Sequence, residues 1–142
     1  MTGTVVNLPP VRQSFSRLML ARFSAATWNT HRIHVDPLGA RAEGLPDVVV
    51  QSTLYPEAAR RVVAGWLGDR PWRLRAVTWR NLRPVTPDTE LLWTGTVDDP
   101  QLKRDVVVFD LLATVAGERA VTVTVDVELR PAGSTEETKW PE

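Results

Sequence analysis

Cysteine is absent from the 142 residues. Its absence excludes disulfides, cysteine nucleophiles and zinc–thiolate sites, and it fits a cytoplasmic, reducing compartment. No apolar run approaches the roughly 20 residues that cross a bilayer. The first ten residues lack a basic start followed by an apolar stretch, so no signal peptide is expected. Excess charge is missing too: Lys+Arg and Asp+Glu are both 17. With zero net charge, neither nucleic acid nor an acidic membrane is an expected partner. Lysine is confined to Lys103 and Lys139, which leaves the basic side almost wholly to arginine. What remains is an ordinary globular mixture, 43% hydrophobic and 24% charged. The length predicts one domain, able to bury about 70% of its unfolded surface without a metal or disulfide staple.

Residues 54–67 give the clearest periodic signal. Leu54, Tyr55, Ala58, Ala59, Val62, Val63, Trp66 and Leu67 recur at helical spacing, with Glu57, Arg60 and Arg61 opposite. Gly68 suits a left-handed cap, and the broad apolar stripe predicts a helix largely wrapped by other elements. Ser16 is a candidate N-cap for a shorter helix over 17–23, and Asp36-Pro37 reads as a cap and first turn of another short helix. Residues 47–51 read as a strand or an extended lead. Beyond residue 70 the period becomes two. Four strands are predicted, over 72–80, 90–97, 103–115 and 119–130, the last two joined at Gly117-Glu118. In the last strand Val121, Val123, Val125 and Val127 alternate with Thr122, Thr124, Asp126 and Glu128, so one face is dry and the other wet. Residues 2–10 read as a loose lead-in, and 131–142 as a disordered tail. The expected architecture is α+β, an antiparallel sheet wrapped around a central helix at about 54–67, within a single domain over 1–130.

Both histidines of the chain lie in one short stretch, Phe23 to Asp36, read F-S-A-A-T-W-N-T-H-R-I-H-V-D. Histidine moves protons near neutrality, and beside His31 and His34 stand Asn29 and Asp36, so a proton-handling site is the sharp reading. The plain alternative is a structural turn. His31 would then hydrogen-bond backbone, Asp36 would cap the helix before Pro37, Asn29 would take a turn geometry, and Arg32 would pair with Asp36 or Asp47. Arg70, Arg73, Arg75, Arg80 and Arg83 crowd one region. They read either as a solvated strand face or as contacts for phosphate groups. Trp66, Trp72, Trp79 and Trp93 read as core or dimer surface.

That same stretch resembles the MaoC-like hydratases and dehydratases, which have the hot-dog fold. It is closest to the branch with an F-S-A-x-T-[FW]-N-x-H-R-I-H-[YV]-D signature. The likeness continues through residues 40–50, A-R-A-E-G-L-P-D-V-V-V, and only residues 23–54 are specific. The family's R-specific enoyl-CoA hydratases carry D-x-N-P-x-H, whose Asp and His hold the water added to an enoyl thioester. Laid without gaps, that His falls on His34, and the Asp falls on Asn29. The family's His-Gly before the central helix becomes Gln51-Ser52.

The resemblance implies an acyl-thioester hydratase or dehydratase that uses no metal and no cofactor. His34 is the expected base, with Asn29 and His31 as its catalytic neighbours. Trp28 would line the acyl pocket. Ser52, Thr53, Leu54 and Asp36 would contact substrate, the amides at the helix start facing the enolate oxygen. The missing carboxylate keeps other readings open: an oxa-Michael cyclase of polyketide assembly acting on a polyketide-like substrate, or a non-catalytic subunit of a heteromeric hydratase. A thioesterase would want a carboxylate at the helix start, and Glu57 falls a turn late. A homodimer is expected, or a heteromer with a related hot-dog subunit.

Overall fold

The computed structural model describes residues 5–98 and 105–131. Among the described residues six strands form one antiparallel sheet. They are β1 (Val5–Asn7), β2 (Val11–Gln13), β3 (Trp72–Asn81), β4 (Leu91–Asp98), β5 (Val106–Val115) and β6 (Glu118–Leu129). The order across the sheet is β1-β4-β5-β6-β3, with β2 also on β4. The lead-in expected to be loose over 2–10 therefore contains strand β1, and β2 follows directly after it. Val6 pairs with Val97 and Arg12 with Leu92. Pro9-Pro10 cannot donate to a ladder and divides them, which hides the strand signal at this length.

The valine alternation of β6 is borne out. Val121, Val123, Val125 and Val127 are buried, and the residues between them are partly exposed. Each such side chain, fully buried, is worth about 1.5–3 kcal/mol. The β5–β6 turn is Ala116-Gly117, one residue earlier than expected, because both turn positions need positive φ (49° and 80°) and Glu118 pairs with Val115. Gly95 in β4 has a packing reason: a Cβ there would lie 2.4 Å from the Asp110 carbonyl oxygen. The carbonyl of Gly95 in turn accepts the Leu8 N–H at 2.9 Å.

Helix α3 (Leu54–Leu67) begins and ends where its pattern indicated and packs on β6 and β3. Leu54, Tyr55, Ala58, Ala59, Val62, Val63 and Leu67 are buried, and Trp66 meets the Phe109 ring edge-on at 5.5 Å. Gly68 takes a positive φ of 59° but with ψ −129°, so it is not the left-handed cap expected; its N–H still closes on Ala64 O. The wrapping is incomplete: an apolar groove of about 460 Å³ runs along α3 past Ala58, Val62 and Gly65 to Leu8 and Val11.

Helix α1 (Arg17–Thr27) starts on Ser16, whose Oγ accepts the Met19 N–H. It runs four residues past the expected end at Phe23, since Ser24-Ala25-Ala26 offers no breaker. The Thr27 hydroxyl bonds back to Phe23 O, and Trp28 closes the helix in the left-handed region at φ 54°. The signature thus straddles a helix and a turn rather than lying wholly in a loop. Helix α2 (Pro37–Ala42) starts on Asp36 as expected. Residues 47–51 are extended but join no ladder. Val49 N–H bonds Ile33 O and Val50 N–H bonds Val85 O. Among the described residues no helix is long and apolar enough to cross a membrane. Lys103 and residues 132–142, with the expected tail, lie outside the described residues.

Candidate active site

A 3-10 turn, Arg32–His34, carries the second histidine, and His31 precedes it. The His31 Nδ1 accepts the Ile33 N–H at 3.4 Å, and Asn29 Oδ1 accepts the His31 N–H at 3.4 Å. These short-range bonds turn the chain so that His34 faces inward while His31 stays half-exposed. The ring of His34 lies 2.8 Å, through Nδ1, from the carbonyl oxygen of Val49. A carbonyl only accepts, so Nδ1 holds the proton in the neutral ring and Nε2 keeps its lone pair. That tautomer is the one a general base needs, and the extended segment 47–51 fixes it.

His34 lines a cavity of about 550 Å³ together with Asn29, Ser52, Thr53, Tyr55 and Arg83. Ile33, Leu45, Val49, Val50, Leu82 and Pro84 supply its apolar wall, and Asn81 completes the rim. Thr53 occupies the N-cap position of α3 without a side-chain cap. Among the described residues no backbone acceptor takes the Ser52 or Thr53 N–H. The Leu54 N–H is already given to Gln51 O at 3.0 Å, and the Leu54 side chain lines a separate groove under α1.

Three further residues of the sequence-based site stand apart from this cavity. Trp28 is 87% exposed at the end of α1 rather than lining a pocket. Asp36 is taken up by structure: Oδ1 accepts the Leu38 N–H at 3.0 Å, and Oδ2 faces the Arg32 guanidinium at 2.8 Å. His31 is also off the cavity, with Nε2 4.0 Å from Glu43. Of the five clustered arginines only Arg83 reaches the cavity, and it pairs with Glu118; Arg73 pairs with Glu128 on the strand surface. Glu57 is held by Arg60 and Arg61.

The charge of Asp36 has a measurable consequence. Its pKa lies below the usual carboxylate value, chiefly through the Arg32 hydrogen bond and then the backbone N–H groups of α2. A depressed folded pKa contributes stability that is present above the unfolded pKa and is lost as pH falls through the folded value. Asp36→Asn keeps the cap but not the charge. It is expected to be less stable than the parent near neutrality, the difference closing in acid. Urea midpoints across pH 2 to 7 check this, and a constant difference would show that the carboxylate charge is not responsible.

Sequence reasoning missed Tyr55 and, around the end of β3, Asn81, Leu82 and Pro84, while Arg83 was read only as one of five arginines that could meet phosphate groups. Tyr55 sits on the helical stripe, where it reads as core. The β3 residues come from a strand distant in sequence, for which no local signal exists. Gln51, in contrast, was noted as a departure, and the structure gives it a function in packing. It is fully buried, and its Nε2 donates to Leu20 O and Ser24 Oγ, both at 2.8 Å, tying α1 to the approach to α3.

A chain of the ChsH1–ChsH2 complex from Mycobacterium tuberculosis is similar at TM-score 0.79 and 20% identity, over 92% of this chain and 100% of that one. The (R)-hydratase from A. caviae involved in PHA biosynthesis reaches TM-score 0.76 at 17% identity, over 90% and 96%. These likenesses define the hot-dog fold, as the resemblance implied. The hydroxyacyl-thioester dehydratase type 2 family matches residues 8–87, and the chain belongs to that family. A mesaconyl-C(4)-CoA hydratase of Chloroflexus aurantiacus is 45% identical over 58 residues, 36% of this chain and 21% of that protein. The chain thus spans about a fifth of the length of that relative. The sequence-based expectation of a MaoC-like hydro-lyase agrees with this membership.

Proposed function

We propose that this chain hydrates an enoyl thioester, or dehydrates the 3-hydroxyacyl thioester, in the cavity beside His34. The observation that carries the reading is the His34–Val49 bond, which leaves Nε2 basic in a cavity shared with Asn29 and the start of α3. In the dehydration direction His34 removes the proton next to the thioester carbonyl, and negative charge moves to the carbonyl oxygen. The Ser52 and Thr53 amides, at the positive end of α3, favour that charge. The charge then returns, the C3–O bond breaks, and the leaving hydroxyl takes the proton back from His34 Nε2 and departs as water, while Asn29 orients it without exchanging a proton itself.

The test is incubation of the purified chain with crotonyl-coenzyme A and with a longer trans-2-enoyl thioester, following loss of the conjugated absorbance. Loss with the chain alone is the expected result. No loss alone, but loss after a sister hot-dog chain is added, would favour a subunit role. That second reading is supported by the Asn at position 29 and by a neighbour that is a two-component complex. Turnover of a hydroxy-enone only would favour a cyclase instead. A homodimer or a heteromer is the proposed assembly. It is supported by β3, a ten-residue edge strand exposed on both faces for most of its length, with Leu74 and Trp79 open to solvent.

A further inference from the structure

Tyr55 is the one tyrosine of the chain and stands in the first turn of α3, on the wall of the His34 cavity. Only 1% of its surface is exposed. A buried phenol ordinarily finds a partner, because leaving the hydroxyl sealed and unpaired costs about 1–3 kcal/mol. Among the described residues the sole sealed side-chain polar atom without a partner is Gln51 Oε1, so the Tyr55 hydroxyl is not sealed in the core. Nor does any described residue hydrogen-bond it; its ring packs in the core, meeting the Phe15 ring edge-on at 6.1 Å. A hydroxyl that is neither bonded nor sealed keeps some accessible surface, and of the cavities described the His34 cavity is the one Tyr55 lines. The oxygen therefore has hydrogen-bonding capacity to spare.

The amides at the start of α3 leave a gap for such a donor. The Leu54 N–H is spent on Gln51 O and the Tyr55 N–H on Ser52 O at 3.3 Å. We infer that Tyr55 is a further catalytic residue of the proposed hydratase, its phenol O–H donating to the thioester carbonyl oxygen beside the Thr53 amide. This rests on the acyl-thioester reading of the cavity. The phenol keeps its proton throughout; burial pushes its pKa well above the ordinary tyrosine value, so it serves as a donor and not as a base. The donor strengthens as charge gathers on the oxygen, so its effect falls on the chemical step more than on binding.

The test uses the full chain in two measurements. Tyr55→Phe removes one oxygen and keeps the ring, and kcat for crotonyl-coenzyme A is expected to fall roughly 10²-fold with KM within a few fold. In the second, tyrosine carrying carbon-13 at Cζ gives a single resonance, and titration with unreactive butyryl-coenzyme A is expected to shift it. Wild-type kcat in Tyr55→Phe, or a Cζ resonance that stays put through the titration, overturns the inference. Should the parent chain turn over no enoyl thioester, the proposed function fails separately. The Cζ shift then decides alone whether the phenol meets a thioester.

Discussion

His34→Ala is expected to lower hydration of a trans-2-enoyl thioester by about 10²–10⁴. In the proposed reaction the ring is the base, and Asn29, which lines the same cavity, has no proton to exchange at neutral pH and could not take over. The same substitution removes the Nδ1–Val49 O bond, worth about 0.5–1.5 kcal/mol, a small part of a domain's stability. The variant should therefore fold and still bind a saturated acyl thioester. Steady-state rates, with circular dichroism and a melting curve on the same sample, check both halves. Activity within a few fold of the parent would remove His34 from the chemistry. A comparable loss in His31→Ala would return an acid–base role to that ring.

Trp93→Ala is expected to cost about 3–5 kcal/mol of folding stability. Trp93 has 0% of its surface exposed, and it is the largest fully buried side chain in the sheet. Its removal leaves a hole among β4 neighbours that are themselves ladder-bonded and cannot collapse freely. It also takes the indole N–H from Gln13 Oε1, at 3.0 Å, and so loosens β2, whose Val11 pairs with Trp93. The urea midpoint should fall sharply with an unchanged slope. A shift worth less than about 1 kcal/mol would mean that the lead-in strands repack around the gap.

The elements legible in the sequence were those with a long period and a local stop signal. Helix α3 carries an uninterrupted stripe bounded by Gly68, and β6 an alternating valine row; both lie where they were read. The strands β1 and β2 were not legible, because three residues hold too little alternation and their pairing with β4 is set far away in the chain. The site divides the same way. His34, Asn29, Ser52 and Thr53 meet in one cavity, and all come from the stretch that carries the family likeness. Trp28 and Asp36 belong to that stretch too. Backbone needs claim Asp36 as a cap, and the left-handed end of α1 turns Trp28 outward. A linear motif does not reveal such needs. Arg83 enters from the end of β3, and only folding makes it a neighbour of His34.

Abundance becomes a thermodynamic variable if the proposed assembly forms along the open border at β3. Any second strand laid along it joins the folded chain but not the unfolded one, so mass action ties the melting point to how much protein is in the tube. With Arg73 already paired to Glu128, Arg75 and Arg80 on that border would repel an identical row placed alongside in register, which discourages open-ended stacking of copies and favours a neighbour that offsets or neutralises them.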